Sequence, residues 1–336
     1  MFPFAALYWL ITSVRNFLFN KKVFKSTEFD LPIINVGNLS MGGAGKTPHC
    51  EYIINLLKKD FQIAVLSRGY GRKTASYIEV KPTANYTEVG DEPLQIKCKF
   101  PSVKVSVENN RVKGVLNILY DYPKIDLIVL DDAYQHRAIK PGLNILLTKY
   151  NSPFYKDFIF PVGYLRESAK ESKRADIIII TKCPEKITKS QMQIVEKAIS
   201  TNAKVYFTKT KYGAITPLFN SSRISLDSSY TILLITGIAS TEGITSKLKN
   251  EKLNFKHLNY RDHYPFSNKD ADKISEIFDP FATGNKIILT TEKDAMRLKG
   301  LKKFNSLPVY YIPIKIEFIS EKETFDQKLI NYAANN

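Results

Sequence analysis

Hydrophobic and polar positions alternate along this chain in three regimes. Residues 1–14 carry no charge, and Leu7, Leu10, Ile11, Val14, Phe17 and Leu18 recur at three- and four-residue spacing, the period of one helix face. From residue 31 short apolar runs alternate with amphipathic stretches. The runs at 31–36, 63–66, 103–107, 127–130, 143–147, 177–180 and 205–207 predict strands, and 47–58, 111–119 and 191–198 have helical periodicity. That alternation predicts an α/β fold with a mostly parallel sheet covered by helices. A third regime repeats the pattern on a smaller scale, with strands at 232–235 and 287–289 and helices at 242–248 and 271–278. Between the two sets, 209–223 is rich in Gly, Pro, Ser and Asn, as a connector is, and 309–318 alternates in a way that pairs back across the boundary. The expected organisation is an N-terminal helix in 1–28, a first α/β domain over 29–208, a linker over 209–230 and a second, smaller α/β domain over 231–303. A return strand and a C-terminal helix packing on the first domain fill 304–336.

The N-terminal segment has three readings. It is short for a bilayer span of about 20 residues, and the basic residues Arg15, Lys21, Lys22 and Lys25 follow the apolar run rather than precede it, unlike a secretory signal. Tyr8 and Trp9 are aromatics of the interfacial kind. A helix lying in the membrane interface, a helix packed on the protein's own core and a short spanning anchor all fit the pattern, the first best.

Composition narrows the chemistry. The formal charge of +16 implies an anionic partner: nucleotide phosphates, an acidic membrane face or nucleic acid. Lysine is spread along the chain rather than clustered, so nucleic acid is not expected as a partner. Three dispersed cysteines with no CxxC, and four histidines with no HxxxH, argue against a zinc site or a disulfide framework.

The most specific motif is Gly42-Gly43-Ala44-Gly45-Lys46-Thr47, directly after a predicted strand and before a predicted helix. Glycines let backbone N–H groups close on phosphate oxygens, and the helix N-terminus adds partial positive charge. Lys46 suits the β- and γ-phosphates, and Thr47 offers a hydroxyl to Mg²⁺. Pro48 costs nothing in the first turn. The loop is a variant, because Ser40 stands where the pattern usually begins with glycine. Asp131-Asp132, ending the buried run at 127–130, is the second phosphate-site signal, since adjacent carboxylates at the C-terminal edge of a parallel sheet call for a cation such as Mg²⁺. One of the pair could instead cap the next turn. No N/T-K-x-D motif reads guanine: Thr181-Lys182-Cys183 is followed by Pro184. ATP is therefore the expected nucleotide.

Further stretches complete an ordered set: Gly37-Asn38, Leu66-Ser67-Arg68-Gly69-Tyr70-Gly71-Arg72, Val89-Gly90-Asp91-Glu92-Pro93 and Asp131-Asp132-Ala133-Tyr134-Gln135-His136-Arg137. Gly163-Tyr164-Leu165-Arg166-Glu167, Asp262-His263-Tyr264-Pro265-Phe266 and Thr291-Glu292-Lys293-Asp294-Ala295 follow. Together they closely resemble the tetraacyldisaccharide 4′-kinase family, from the N-terminus to about Leu298. The resemblance implies two α/β domains joined by a two-stranded linker, and a peripheral inner-membrane enzyme on the cytoplasmic face. Using ATP and Mg²⁺, it would phosphorylate the 4′-hydroxyl of an acylated glucosamine disaccharide 1-phosphate in lipid A biosynthesis. A monomer is expected.

By itself Asp91 reads first as a helix N-cap ahead of Glu92-Pro93. The resemblance makes it the general base, with His263 from the second domain as its partner, a pair that would assemble on domain closure. It also implies catalytic roles for Lys46 and Arg166 and substrate contacts for Arg111, Glu167 and Gln135; Thr47, Asp131 and Asp132 would hold the metal. Arg68 and Arg72 are left open between substrate-side and structural roles. The rival reading is a P-loop ATPase switch or metallochaperone-like protein with no lipid acceptor.

Overall fold

Short β-branched runs satisfy their backbone in a ladder and bury both faces only between helices. The structure, a computed structural model, describes residues 1–199, 201–219, 222–281 and 284–335. It opens with α1 (Phe2–Asn20), β1 (Ile33–Asn38), α2 (Lys46–Leu57), β2 (Ile63–Ser67), the short β3 (Ile78–Glu79) and α3 (Tyr86–Val89). Next come α4 (Asp91–Lys99), β4 (Lys104–Val107), α5 (Arg111–Asp121), β5 (Leu127–Asp131) and β6 (Leu143–Lys149). β7 (Ile177–Thr181), α6 (Lys189–Ile199) and the long β8 (Lys204–Tyr212) end the first lobe. The second contains β9 (Thr216–Pro217), β10 (Thr231–Thr236), α7 (Glu242–Asn250), β11 (Asn254–Asn259), α8 (Asn268–Phe278), β12 (Lys286–Thr291), α9 (Glu292–Leu298) and β13 (Val309–Ile312). β14 (Ile314–Phe318) and α10 (Lys322–Ala334) return to the first lobe.

Among the described residues the first sheet runs β14-β8-β7-β6-β1-β5-β2-β4-β3. Its interior strands are parallel, and only the edge strands β14 and β3 pair antiparallel. β1, β5 and β7 are buried at every position. The chain leaves β1 toward β2 on one side and later fills β6 on the other, so a crevice opens at the carboxyl end of β1. The second sheet runs β11-β10-β12-β13-β9, parallel except for β9.

Two expectations change in the structure. The connector begins as strand, because β8 outruns its partner β7 and its last residues, Thr208 to Tyr212, pair antiparallel with β14. The segment from residue 304 does not return at once: Val309–Ile312 is a strand of the second sheet, paired with β12, and only β14 crosses back. α10 then packs Phe325, Leu329 and Ala333 into the first lobe's core, with Phe325 against Tyr52, Tyr206 and Phe318.

α1 inverts the usual amphipathic logic. Its buried positions are Ala5, Thr12 and Asn16, while Phe2, Phe4, Leu7, Leu10, Ile11 and Phe17 are exposed. Polar groups fasten it: Tyr8 Oη donates to Arg166 O at 3.0 Å, and Arg15 pairs with buried Glu167 at 2.7 Å. Packing on the protein's own core is thereby excluded for its apolar face.

Candidate active site

The phosphate loop follows β1 and caps α2. Gly42 and Gly45 have φ of 89° and 87°, a left-handed backbone that an L side chain strains, so glycine is required at both. The residues of Gly163-Tyr164-Leu165-Arg166 brace the loop from outside: Met41 N donates to Tyr164 O at 2.7 Å and Arg166 N to Leu39 O at 2.8 Å. Asn38 threads the turn, its Nδ2 donating to Ser40 O at 2.6 Å.

Cations of this half are held in place by oxygen. Lys46 Nζ lies 3.2 Å from Asn38 Oδ1 and 3.5 Å from Asp132 Oδ2. Arg166 donates to Asp132 Oδ1 at 2.8 Å and Oδ2 at 3.2 Å, and also to the Asn38 side chain. Burial raises the Asp132 carboxyl, but Lys46 and then Arg166 outweigh it and hold it well below the usual range. Asp132 takes a left-handed backbone, φ 51°, just past the end of β5. Asp131 differs. It is fully buried, and the groups bonded to its oxygens are neutral, Ser67 Oγ at 3.2 Å and Cys50 Sγ at 3.7 Å. Burial, then the Glu92 and Asp132 charges, push its carboxyl up to about 7.

The acceptor half is built from both lobes. Asp91 begins α4, whose N-cap is Gly90 rather than Asp91 itself. It is 3% exposed, and its Oδ1 accepts Glu92 N at 2.9 Å. Oδ2 faces His263 Nδ1 at 3.1 Å and Arg297 Nε at 3.4 Å, yet receives no aligned hydrogen bond among the described residues. Burial raises this carboxyl, but the His263 contact, the Lys293 charge and the Arg297 charge outweigh it and hold it below its usual value. His263 is itself left-handed, φ 53°, and its N–H donates to Gly237 O at 3.0 Å. Such backbone strain is concentrated at functional sites. The pair is in contact across the lobe junction. Around it α9 reaches across to α4: Lys293 pairs with Glu92 at 2.9 Å, and Lys99 joins Glu51 at 2.6 Å and Glu292 at 3.0 Å. Ala295 and Met296 bury themselves in the first lobe's core.

Several expected site residues are placed otherwise. Glu167 is 1% exposed with its carboxylate paired to Arg15 and Arg174. Arg111, 2% exposed, donates to the backbone oxygens of Glu108 at 2.8 Å and Asp132 at 3.3 Å. It clamps the turn after β5 rather than projecting toward an acceptor, and burial lowers it to about 10. Asp132 is paired with both Arg166 and Lys46. Gln135 is anchored on Asn38 O at 3.0 Å and keeps a buried, unpartnered Oε1. Arg72 is held by Ser76 O at 2.7 Å, a structural role, while Arg68 is exposed.

Sequence reading gave Lys182 and Lys293 no role of their own within their motifs and passed over Arg297. Lys182, just past β7, has its Nζ 3.9 Å from the point a Cβ on Gly43 would occupy. Its position at the carboxyl edge of a buried strand was the available signal. Ala239, from the second lobe, comes within 3.8 Å of the same point. Nothing in the local pattern around Arg297 marks it, though it is 1% exposed.

Comparison with known proteins agrees with this geometry. The profile of the family described as tetraacyldisaccharide-1-P 4′-kinase matches residues 1–334. A tetraacyldisaccharide 4′-kinase of Flavobacterium psychrophilum is 44% identical, the match covering 100% of this chain and 97% of that protein. Another, of Bacteroides thetaiotaomicron, is 39% identical over 100% of this chain and 93% of its own length. The crystal structure of LpxK from Aquifex aeolicus in complex with ATP superposes with a TM-score of 0.77 at 29% identity, covering 99% of this chain and 98% of that one. With a phosphate loop in one lobe, a buried carboxylate at the seam and relatives matched along nearly the whole length, the chain belongs to the tetraacyldisaccharide-1-phosphate 4′-kinase family and is a kinase of lipid A biosynthesis.

Proposed function

We propose that this kinase transfers the γ-phosphoryl group of ATP to the 4′-hydroxyl of an acylated disaccharide 1-phosphate, with Asp91 as general base. The observation that carries the assignment is Asp91 Oδ2: a buried carboxylate oxygen at the lobe junction with no aligned donor among the described residues. A substrate hydroxyl supplies the missing donor. Its proton passes to Asp91 while its oxygen bonds to the γ-phosphorus and the bond to ADP breaks. Because the flanking cations keep Asp91 ionised, it is ready to accept at neutral pH. A base so positioned contributes about 10²–10⁴ in rate. Lys46 and Arg166, released from Asp132 and Asn38, turn to the phosphate oxygens, where a planar guanidinium suits the charge that builds up in transfer.

The oxygen donors at the loop fit Mg²⁺. Thr47 offers a hydroxyl, and Asp131 is a buried carboxylate without a directly bonded cation. Mg²⁺ takes few protein ligands and keeps water and phosphate oxygens, consistent with the absence of any His, Cys, Asp or Glu cluster of three among the described residues. When bound there, the ion would neutralise phosphate charge.

The exposed apolar face of α1, with Lys21, Lys22 and Lys25 at its end, is the surface we assign to the cytoplasmic face of the inner membrane. Large apolar side chains gain about 1.5–3 kcal/mol each on burial, and nearby lysines add attraction to anionic lipid. The acceptor, itself an anionic lipid, would be met in that surface.

The test is transfer of labelled γ-phosphate from ATP to tetraacyldisaccharide 1-phosphate in detergent micelles. Labelling that requires Mg²⁺ and collapses in Asp91→Asn supports the reading. ATP hydrolysis by folded protein with no lipid labelled would replace it with the ATPase switch.

A further inference from the structure

We propose that Lys293 is a positioning residue that fixes the tautomer of His263, holding its single ring proton on Nδ1, the nitrogen nearer Asp91. The inference rests on the reading of Asp91 as the base. A lysine ammonium carries three donors and no acceptor. Lys293 Nζ lies 3.0 Å from His263 Nε2. At that distance Nε2 must present its lone pair, because a proton there would set N–H against N–H. The one proton of the neutral ring is then on Nδ1, 3.1 Å from Asp91 Oδ2.

The consequence is chemical. An imidazolium beside Asp91 would add a full positive charge, and an opposite charge at such range lowers a carboxyl by about 1–3 pH units, at the expense of basicity. With Lys293 Nζ at 3.0 Å, Nε2 has no room to point a proton outward. Asp91 then has a neutral ring beside it and remains a usable base. The charged and titratable groups facing His263 are few. Asp91 approaches from α4 and Lys293 from α9. Asp262 Oδ1 lies 4.0 Å from Nε2 on the same loop, and the Tyr70 ring centre is 4.8 Å from the imidazole. Behind them Glu92 holds Lys293 at 2.9 Å, and Arg297 Nε sits 3.4 Å from Asp91 Oδ2.

A plain lobe-to-lobe ion pair with Glu92 does not account for the placement. Lys293 stands in the first turn of α9, where the partial positive charge of the helix end disfavours a cation. Glu92 alone would hold it equally well further along the helix, away from the imidazole.

The experiment uses the full-length protein in detergent, with ¹⁵N-labelled histidine rings assigned through His263→Gln. In the wild type at pH 7, His263 should show an unprotonated Nε2 and a protonated Nδ1. In Lys293→Met, Nε2 should gain a proton. The turnover number at pH 7 should fall about 10- to 100-fold, as when a supporting hydrogen-bond partner is removed. Most of that loss should be recovered at pH 9, with the KM for ATP unchanged, and Lys293→Arg should restore both the ring signature and most of the activity. A wild-type ring that is Nε2–H or doubly protonated at pH 7 would overturn the inference without recourse to any variant. So would a Lys293→Met protein with unchanged ring signals, or one whose loss is equal at every pH. If Asp91→Asn retained full transfer, the base assignment would fail while the ring spectra still reported the tautomer.

Discussion

The two halves of the active site are put together in opposite ways. The nucleotide half comes from one lobe: a loop of consecutive residues, the end of β5 and the brace at Arg166, all at one edge of one sheet. Its charges are already paired, Lys46 and Arg166 on Asp132. The acceptor half takes Asp91 from the first lobe and His263, Lys293 and Arg297 from the second, so it exists only while α4 and α9 stay packed. Local chain geometry protects the first half. Packing across a seam sustains the second, which makes it the half a distant substitution can dismantle.

That contrast can be pressed in descending order of effect. Asp91→Asn removes the base and leaves the nucleotide half alone. Turnover should fall by about 10²–10⁴ while ATP affinity by calorimetry stays within about twofold of wild type; equal loss of both would mean the halves are not separable. Arg297→Met strips a buried guanidinium that donates to Gly237 O at 2.8 Å and Tyr264 O at 3.2 Å and pairs with buried Asp294. Leaving such a partner uncompensated costs about 3–5 kcal/mol, read by urea unfolding, and the acceptor half should be lost before ATP binding is. Gly45→Ala strains a backbone at φ 87° in the other half. At about 1–2 kcal/mol, ATP affinity should weaken roughly tenfold with the seam untouched.

The pH dependence separates the halves further. Asp91 in the folded protein lies below its unfolded value, so its contribution to stability is complete above the unfolded carboxyl range and is lost as pH falls through the lower, folded value. Thermal melts from pH 3 to 6 should therefore show the Asp91-linked loss only below about pH 4. His263→Gln should shrink that loss, because it removes a contact that lowers the folded value. Smallest of all, Leu10→Glu with Ile11→Glu alters an exposed face of α1 belonging to neither half. Micellar kinase activity should change by less than about twofold, since exposed substitutions act weakly, while flotation with anionic vesicles should drop sharply.

Legibility in the sequence follows the same division. The strand–loop–helix frame of Gly42–Thr47 was readable because every part of a phosphate loop is contiguous. The buried runs at β5 and β7 were readable because strands covered on both faces are apolar throughout. β11 escaped notice: Asn254–Asn259 is an edge strand, half exposed, with too few apolar positions to register. The segment at 309–318 read as one alternating run, yet it divides into two strands in different sheets, with Pro313 between them. Glu167 and Arg111 had the residue types of substrate contacts, and only the structure shows both to be buried.

The sequence by itself determined the parallel α/β architecture, the phosphate loop and its lysine, the paired aspartates and, through ordered motifs, the family. These rest on periodicity and short-range spacing, which survive in one dimension. The tertiary structure alone decided which aspartate stays free of cations, that α1 turns its polar side inward, and that Lys293 and Arg297 converge on His263 and Asp91. Burial and opposing charge across a lobe seam depend on which distant segments meet, and no local pattern encodes that meeting.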